Sequence, residues 1–365
     1  MTPRASHFVC ISDLHLGYDR SFLTDTSRHA RVAAEVARIA GGSARRLILN
    51  GDCLEACVPD RVGEHDAAGF PVAVAEASRS FLNALLARLT VDELVLVWGN
   101  HDFCLWQRVA QACGVPTFTN DQAEDVCLAN QGHVLPGAEP FLVDVLGPEA
   151  CKLAKITSAY PNYVLGRQWP FVVFHHGHLL DRMVLGWEED VDYLALKLVV
   201  GQGSAKVSPD GDDTLAEICR KTTPFVSAMW RYNCRARAEQ WQFLRSFGVR
   251  QVCPYYPDQA GQDSEILGVE LQGEGLGRQA KWYLDTLAAD PTTPAILGPA
   301  AAPSYFIVGH DHGGGAENVQ GLDGHDWRLV NTGGWTRDHD ESSPHSHVAV
   351  WRVGAELPFT HCVRV

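Results

Sequence analysis

Five short apolar runs in this chain each end in a small knot of Asp, Asn, His and Gly. His7 to Ser12 (HFVCIS) runs into Asp13-Leu14-His15, Arg46 to Asn50 (RLILN) into Gly51-Asp52, and Glu93 to Trp98 (ELVLVW) into Gly99-Asn100-His101-Asp102. Farther on, Phe171 to Phe174 (FVVF) leads into His175-His176-Gly177-His178, and Ser304 to Val308 (SYFIV) into Gly309-His310-Asp311-His312. Short apolar runs bounded by turn formers read as strands buried on both faces. Between the first three, Thr26 to Ala40 and Phe70 to Leu89 carry apolar residues at helical spacing, with Gly41-Gly42 as a stop. This β-α-β-α-β rhythm predicts an α/β fold with a largely parallel sheet and helices packed on it. Parallel sheets place ligands beyond the carboxyl ends of their strands, so the five knots are expected to converge on one rim. Two more strands are expected at Trp327 to Asn331 and His347 to Val353.

Two stretches interrupt the rhythm. Phe103 to Pro170 reads as partly helical and loop-like, then strand-like over Lys155 to Leu165. Leu179 to Pro303 reads as a mostly helical insertion, a cap over the rim. With 365 residues, the length fits one large α/β domain over 1–365 with about 179–303 as that insertion. Within it, Ile218 to Arg250 holds seven basic residues and one acidic one, interleaved with Trp230, Tyr232, Trp241, Phe243 and Phe247.

The whole chain carries a net charge of −14, which argues against a protein that coats nucleic acid. An acidic chain can handle phosphate where bound cations reverse the local field. With 46% hydrophobic residues the chain can bury a real core, which excludes disorder as its main state. The N-terminus runs straight into a strand rather than a signal-peptide core, and no stretch is long and unbroken enough to span a bilayer. Eleven Cys, odd in number and without paired CxxC spacing, read as reduced thiols. A cytoplasmic location is therefore expected.

Asp13, His15, Asp52, Asn100, His176, His310 and His312 form a set of oxygen and imidazole donors at strand ends. That mixture suits Mn²⁺, Fe or Zn²⁺, and the lack of thiolates argues against a structural zinc site. Seven donors are too many for one ion, and a carboxylate can bridge two. Two ions about 3.5–4 Å apart can hold a bridging hydroxide for in-line attack at phosphorus.

These blocks, D-x-H at Asp13/His15, G-D at Asp52, G-N-H-D at Asn100 to Asp102, H-G-H at His176 to His178 and G-H-x-H at His310/His312, resemble the calcineurin-like metallophosphoesterase signature. All five come in the family's order, and Val330 to Trp335 (VNTGGW) resembles the strand that follows its last motif. The resemblance covers about half the chain and implies a four-layer α/β/β/α sandwich. It implies a dinuclear centre, with manganese as the first expectation and iron or zinc fitting the same donors. Asp13, His15 and His312 would hold one ion, Asn100, His176 and His310 the other, and Asp52 would bridge. His101 would sit near the leaving-group oxygen, with Asp102 orienting its ring.

The implied activity is hydrolysis of a phosphomonoester or phosphodiester on a small phosphorylated substrate. A protein Ser/Thr phosphatase fits less well, since Gly51 to Cys57 reads G-D-C-L-E-A-C and Asp102 stands where those enzymes have Glu. D-L-H-L at Asp13 to Leu16 also resembles UDP-2,3-diacylglucosamine hydrolases, which cleave a pyrophosphate but carry Arg where His101 stands. A nuclease of the same superfamily would share the blocks. A non-catalytic binding scaffold of the same fold would have lost ligands, and none is missing. His178, Arg231 and Arg235 are candidate substrate contacts, the arginines through bidentate pairing with phosphate oxygens. Gly324-His325-Asp326 imitates the last motif but reads as a hairpin tip.

Overall fold

The structure, a computed structural model, describes residues 4–17, 21–56, 72–119, 125–127, 130–134, 140–165, 172–180, 184–186, 206–208, 212–235, 274–289, 304–310, 315–320, 326–335, 346–355 and 358–363. Of 118–119, 125–127, 130–134, 140–141, 227–235, 274–278, 288–289, 304, 315–320, 326 and 362, only the backbone path is described. His312, His325 and the segment 336–345 lie outside these residues.

The chain folds as α/β around two mixed sheets. Its strands are β1 (Ser6–Ile11), β2 (Ser43–Asn50), β3 (Thr90–Val97), β4 (Thr117–Thr119), β5 (Asp125–Cys127), β6 (Asn130–Val134), β7 (Lys155–Tyr160), β8 (Asn162–Leu165), β9 (Val172–His175), β10 (Ser304–Val308), β11 (Gly315–Gln320), β12 (Asp326–Asn331), β13 (His347–Arg352) and β14 (Phe359–Cys362). The helices are α1 (His29–Ala40), α2 (Val72–Leu86), α3 (Phe103–Ala112), α4 (Pro140–Leu146), α5 (Pro148–Cys151), α6 (Leu215–Arg235) and α7 (Glu274–Ala289). The larger sheet runs β14-β13-β1-β2-β3-β7-β6 and the smaller β11-β12-β10-β9-β8, while β4 and β5 pair separately.

Strands β1, β2, β3 and β7 are parallel, as the βαβ rhythm predicts, but β13, β14 and β6 join antiparallel. The sheets are thus mixed rather than largely parallel. The strand-like stretch at Lys155 to Leu165 divides at Pro161, with β7 in the larger sheet and β8 in the smaller. The helix expected from Thr26 starts at His29, behind two short 3₁₀ turns, Phe22–Thr24 and Thr26–Arg28. Asp25 explains the delay: its carboxylate accepts from the Ser27 N–H and closes a turn that competes with the first helical turn.

Alternation along the strands divides the interior in two. Phe8, Cys10, Ile48, Val95 and Val97 of the larger sheet share a buried cluster with Val172, Phe174, Tyr305, Ile307 and Val330 of the smaller. Their sequence neighbours Val9, Ile11, Leu47, Leu49, Leu94 and Leu96 turn the other way, into a cluster with Val32 and Val36 of α1 and Phe81 and Leu85 of α2. On the smaller sheet, Tyr283 of α7 stacks on Phe306 of β10 with ring centroids 5.8 Å apart. Two-sided burial is why these strands read as unbroken apolar runs. Among the described residues no helix is long and apolar enough to cross a membrane.

A charged ladder crosses the parallel strands, where Arg46, Glu93 and Lys155 are register partners. Arg46 Nε donates to Glu93 Oε2 at 2.9 Å, Thr157 Oγ1 to Oε1 at 2.6 Å, and Lys155 Nζ lies 2.7 Å from Oε1. Burial pushes the Glu93 carboxyl up, but the bonds from Lys155 and Thr157 and the charge of Arg46 outweigh it and leave the group below its ordinary value. A depressed acid contributes stability above its unfolded-state pKa and loses it as pH falls through the folded one. Glu93→Gln is therefore expected to cost about 1–2 kcal/mol at pH 7, discounted for the half-exposed cations. The deficit should shrink in acid; urea unfolding at pH 7 and below pH 4 checks both, and an equal deficit at both would contradict the ladder.

Candidate metal centre

The loops that follow β1 and β2 are zipped together by their backbones. Asp13 N donates to Gly51 O, His15 N to Asp52 O and Leu16 N to Cys53 O, each at 3.0 Å. Four rim residues hold left-handed backbone: Asp13 (φ 50°), His15 (φ 44°), Asp52 (φ 49°) and His310 (φ 69°). Asp and His tolerate this region better than most residues, yet each such turn still costs of order 1–3 kcal/mol. Strain collected at one rim is what a fold tolerates when side chains must be aimed.

Glycines make room for those side chains. A Cβ at Gly99 would collide with Asp52 Oδ1, and one at Gly309 with Asp13 Oδ2 and Ser12 Oγ. Gly309 does not adopt a glycine-only backbone, so Gly309→Ala isolates the steric effect. We expect it to displace the Asp13 carboxylate and weaken Mn²⁺ binding by about 10–100-fold. Titration calorimetry with Mn²⁺ alongside thermal unfolding checks this; parental Mn²⁺ affinity would show that the close approach at Gly309 does not aim Asp13.

The convergence expected from the sequence is present. Asp13, His15 and Asp52 present ligand atoms within 4.8 Å of one another, and so do Asp52, His176 and His310. The two trios share Asp52. Asn100 joins the second, with its Oδ1 3.1 Å from His176 Nε2, which is also 3.0 Å from Asp52 Oδ2. The Asp52 carboxylate further accepts the His101 N–H at 2.8 Å, and Asp13 Oδ1 the His310 N–H at 3.0 Å.

Bonds on the far side of each ring fix which nitrogen faces the centre. His176 Nδ1 lies 3.2 Å from the Asn50 carbonyl and His15 Nδ1 2.8 Å from Glu55 Oε2, which leaves Nε2 of each ring to ligate. Asp13, Asp52, Glu55 and Asp102 are each at most 2% exposed. Buried carboxylates packed together repel, and cations are the ordinary remedy. Burial and the nearby Asp52 push the Asp13 carboxyl well up. Burial also pushes Asp52 up, but His176 and His101 outweigh that and hold it well below the usual range. This oxygen-and-imidazole set fits divalent cations such as Mn²⁺, Fe²⁺ or Zn²⁺.

Glu55, to which the sequence analysis gives no role, belongs to the same buried group. Its fully buried carboxylate contacts His15 Nδ1 and also His101 Nδ1, at 2.8 Å through Oε1 and 3.0 Å through Oε2. The only signal in the sequence was its place three residues beyond Asp52. Burial works against both charges, but mutual attraction overrides it: Glu55 falls to about 2 and His101 rises to about 10, with Asp52 and Asp102 adding to the latter. The carboxylate in contact with His101 Nδ1 is Glu55. Asp102 accepts backbone N–H groups from Gly99 at 2.6 Å and Cys53 at 3.2 Å, and so holds the two rim loops together. Burial and then Asp52 lift its carboxyl to about 8.

The remaining candidates fall elsewhere. His178 is 1% exposed, with its ring in contact with the Tyr160 hydroxyl. Arg231 and Arg235 lie in the last turns of α6, where only the backbone is described, and His312 lies outside the described residues.

The sequence matches no protein-family model and no curated protein. Among solved structures, a conserved uncharacterized protein from Streptococcus pneumoniae TIGR4, described as a predicted phosphoesterase, aligns over 100% of both chains. Identity is 11% and the TM-score 0.26.

Proposed function

We propose that this chain is a metal-dependent phosphoester hydrolase of the calcineurin-like metallophosphoesterase kind, acting on a small phosphomonoester or phosphodiester. The observation that carries the reading is the pair of donor trios sharing one carboxylate, Asp52. Asp13 and His15, with His312, would hold one cation. Asn100, His176 and His310 would hold the second, and Asp52 would bridge. Two divalent ions there, manganese first among them, would supply Lewis acidity toward phosphoryl oxygens and an activated water.

The protein's own residues do the rest. His101 Nε2 lies 3.9 Å from Asp52 Oδ2, beside the place where a phosphoryl group would meet the cations. Glu55 keeps the ring aimed and protonated, so that it can give a proton to the departing oxygen. Cations on the neighbouring carboxylates would offset part of its raised pKa and bring the proton within reach of transfer.

The architecture we propose is the four-layer α/β/β/α sandwich over 1–365, with about 179–303 as a cap. The cluster shared by the two sheets and the stacking of α7 on β10 support the layering. Arg231 and Arg235 would meet the substrate's phosphate or its leaving group from α6. The reading is tested by hydrolysis of p-nitrophenyl phosphate and bis-p-nitrophenyl phosphate with Mn²⁺, before and after chelation. Turnover that needs Mn²⁺ and vanishes with chelator is expected. A chain loaded with Mn²⁺ that cleaves neither these nor a panel of nucleotide and sugar phosphates would overturn it.

A further inference from the structure

A polar residue ends an otherwise apolar row between the two sheets. Alternation along β2 turns Ile48 and Asn50 to the same side, and Ile48 packs in the cluster shared with the smaller sheet. Asn50 is fully buried. Its Nδ2 crosses the gap and donates to the His175 carbonyl of β9 at 3.1 Å and to the Ile307 carbonyl of β10 at 3.3 Å. These carbonyls stand at the roots of two rim loops, the first followed by His176 and the second by His310. The Asn50 main chain takes part as well, its carbonyl accepting from His176 Nδ1 at 3.2 Å. Gly309 N donates to the His176 carbonyl at 2.7 Å, so the two loops are also bound to each other. One side-chain amide thus fastens both to β2.

The donors divide along the same gap. Asp13, His15, Asp52 and Asn100 follow strands of the larger sheet, His176 and His310 strands of the smaller, so the trio of Asp52, His176 and His310 spans both. Apolar packing between sheets is non-directional, whereas a hydrogen-bonded amide fixes both a distance and a direction. On the β1 side there is a separate tie: Ser12 Oγ lies 2.5 Å from Thr332 Oγ1, which donates to the Val308 carbonyl at 2.9 Å.

We propose that Asn50 is a positioning residue whose side-chain amide clamps the two sheets at the rim and sets where His176 and His310 stand relative to Asp52. The inference rests on the metal-centre reading above. Removing the amide leaves the Ser12 tie and the apolar cluster in place, so the chain keeps its fold while the trio that spans the gap loses its spacing.

The test is Mn²⁺ titration calorimetry with thermal unfolding on the full chain, comparing the parent with Asn50→Leu and Ile48→Ala. Leu keeps the branched shape of Asn and lacks its donors. Asn50→Leu is expected to weaken one Mn²⁺ step about tenfold or more. Ile48→Ala, which thins the apolar packing two residues away, should lower the unfolding midpoint and keep both steps at parental affinity. A residue that only held the sheets together would give the two variants the same signature. Isotherms of Asn50→Leu that superimpose on the parent's, or an equal loss of affinity in Ile48→Ala, would overturn the clamp. Asn50→Ala carries the same expectation should the Leu variant not fold, and a chain that folds with neither would make Asn50 a requirement of the fold and overturn the clamp too. A parent and variants that behave as expected yet hydrolyse no phosphoester overturn the proposed function alone, and a parent that takes up no Mn²⁺ overturns both.

Discussion

Asp52→Asn is expected to lower phosphoester hydrolysis by at least about a thousandfold while the chain stays folded. Asp52 belongs to both donor trios, so the amide withdraws charge from both cation positions at once. Losing about 4 kcal/mol of transition-state stabilisation corresponds to three powers of ten in rate. The fold should survive, because the Asp52 carbonyl still accepts from His15 N and an amide oxygen can still accept from His101 N. Because His176 and His101 hold the Asp52 carboxyl well below its ordinary value, losing its charge should lower the unfolding midpoint measured with chelator present, with relief of its repulsion toward Asp13 offsetting part of the loss. Single-turnover rates and thermal unfolding on the same preparation test both halves. Turnover within tenfold of the parent would remove Asp52 from the bridging role.

The second large effect is expected at His101. His101→Ala should slow esters of poor leaving groups by about 10²–10⁴-fold, the usual worth of a positioned acid, and p-nitrophenyl esters far less. The pH profile supplies the sign. An acid must be protonated, so activity resting on it falls as pH rises through its pKa. Glu55 and Asp52 raise that pKa against the opposition of burial, which places the basic limb above the ordinary histidine value of about 6.5. Glu55→Gln should move the limb to lower pH, and His101→Ala should erase it. Equal slowing for good and poor leaving groups, or a limb unmoved in Glu55→Gln, would count against the acid role.

The rim was legible because buried strands leave an unambiguous mark: apolar runs that stop abruptly at Asp, Asn, His and Gly. Six of the seven expected donors fall among the described residues, and they converge. Strand direction was not legible, since a strand buried on both faces looks the same in either sense. β13 pairs antiparallel with β1 with nothing in its residues to announce it. Likewise, the division of Lys155 to Leu165 into two sheets depends on which neighbours each half meets.

Glu55 escaped notice for a related reason. An acidic residue in a loop ordinarily faces water, and only the folded chain places it between two histidines. The ring of His178, whose place in H-G-H suggests substrate, packs against those of Tyr160 and His175, a contact that only the folded chain shows.

The central claim is that loops from β1, β2, β3, β9 and β10 together grip two cations across one shared carboxylate. Diffraction from crystals soaked in Mn²⁺, collected for its anomalous signal, addresses it most directly. Two peaks are expected, one between Asp13 and His15 and one among Asn100, His176 and His310, with Asp52 reaching both. A single peak, peaks away from Asp52, or none at saturating Mn²⁺ would contradict it.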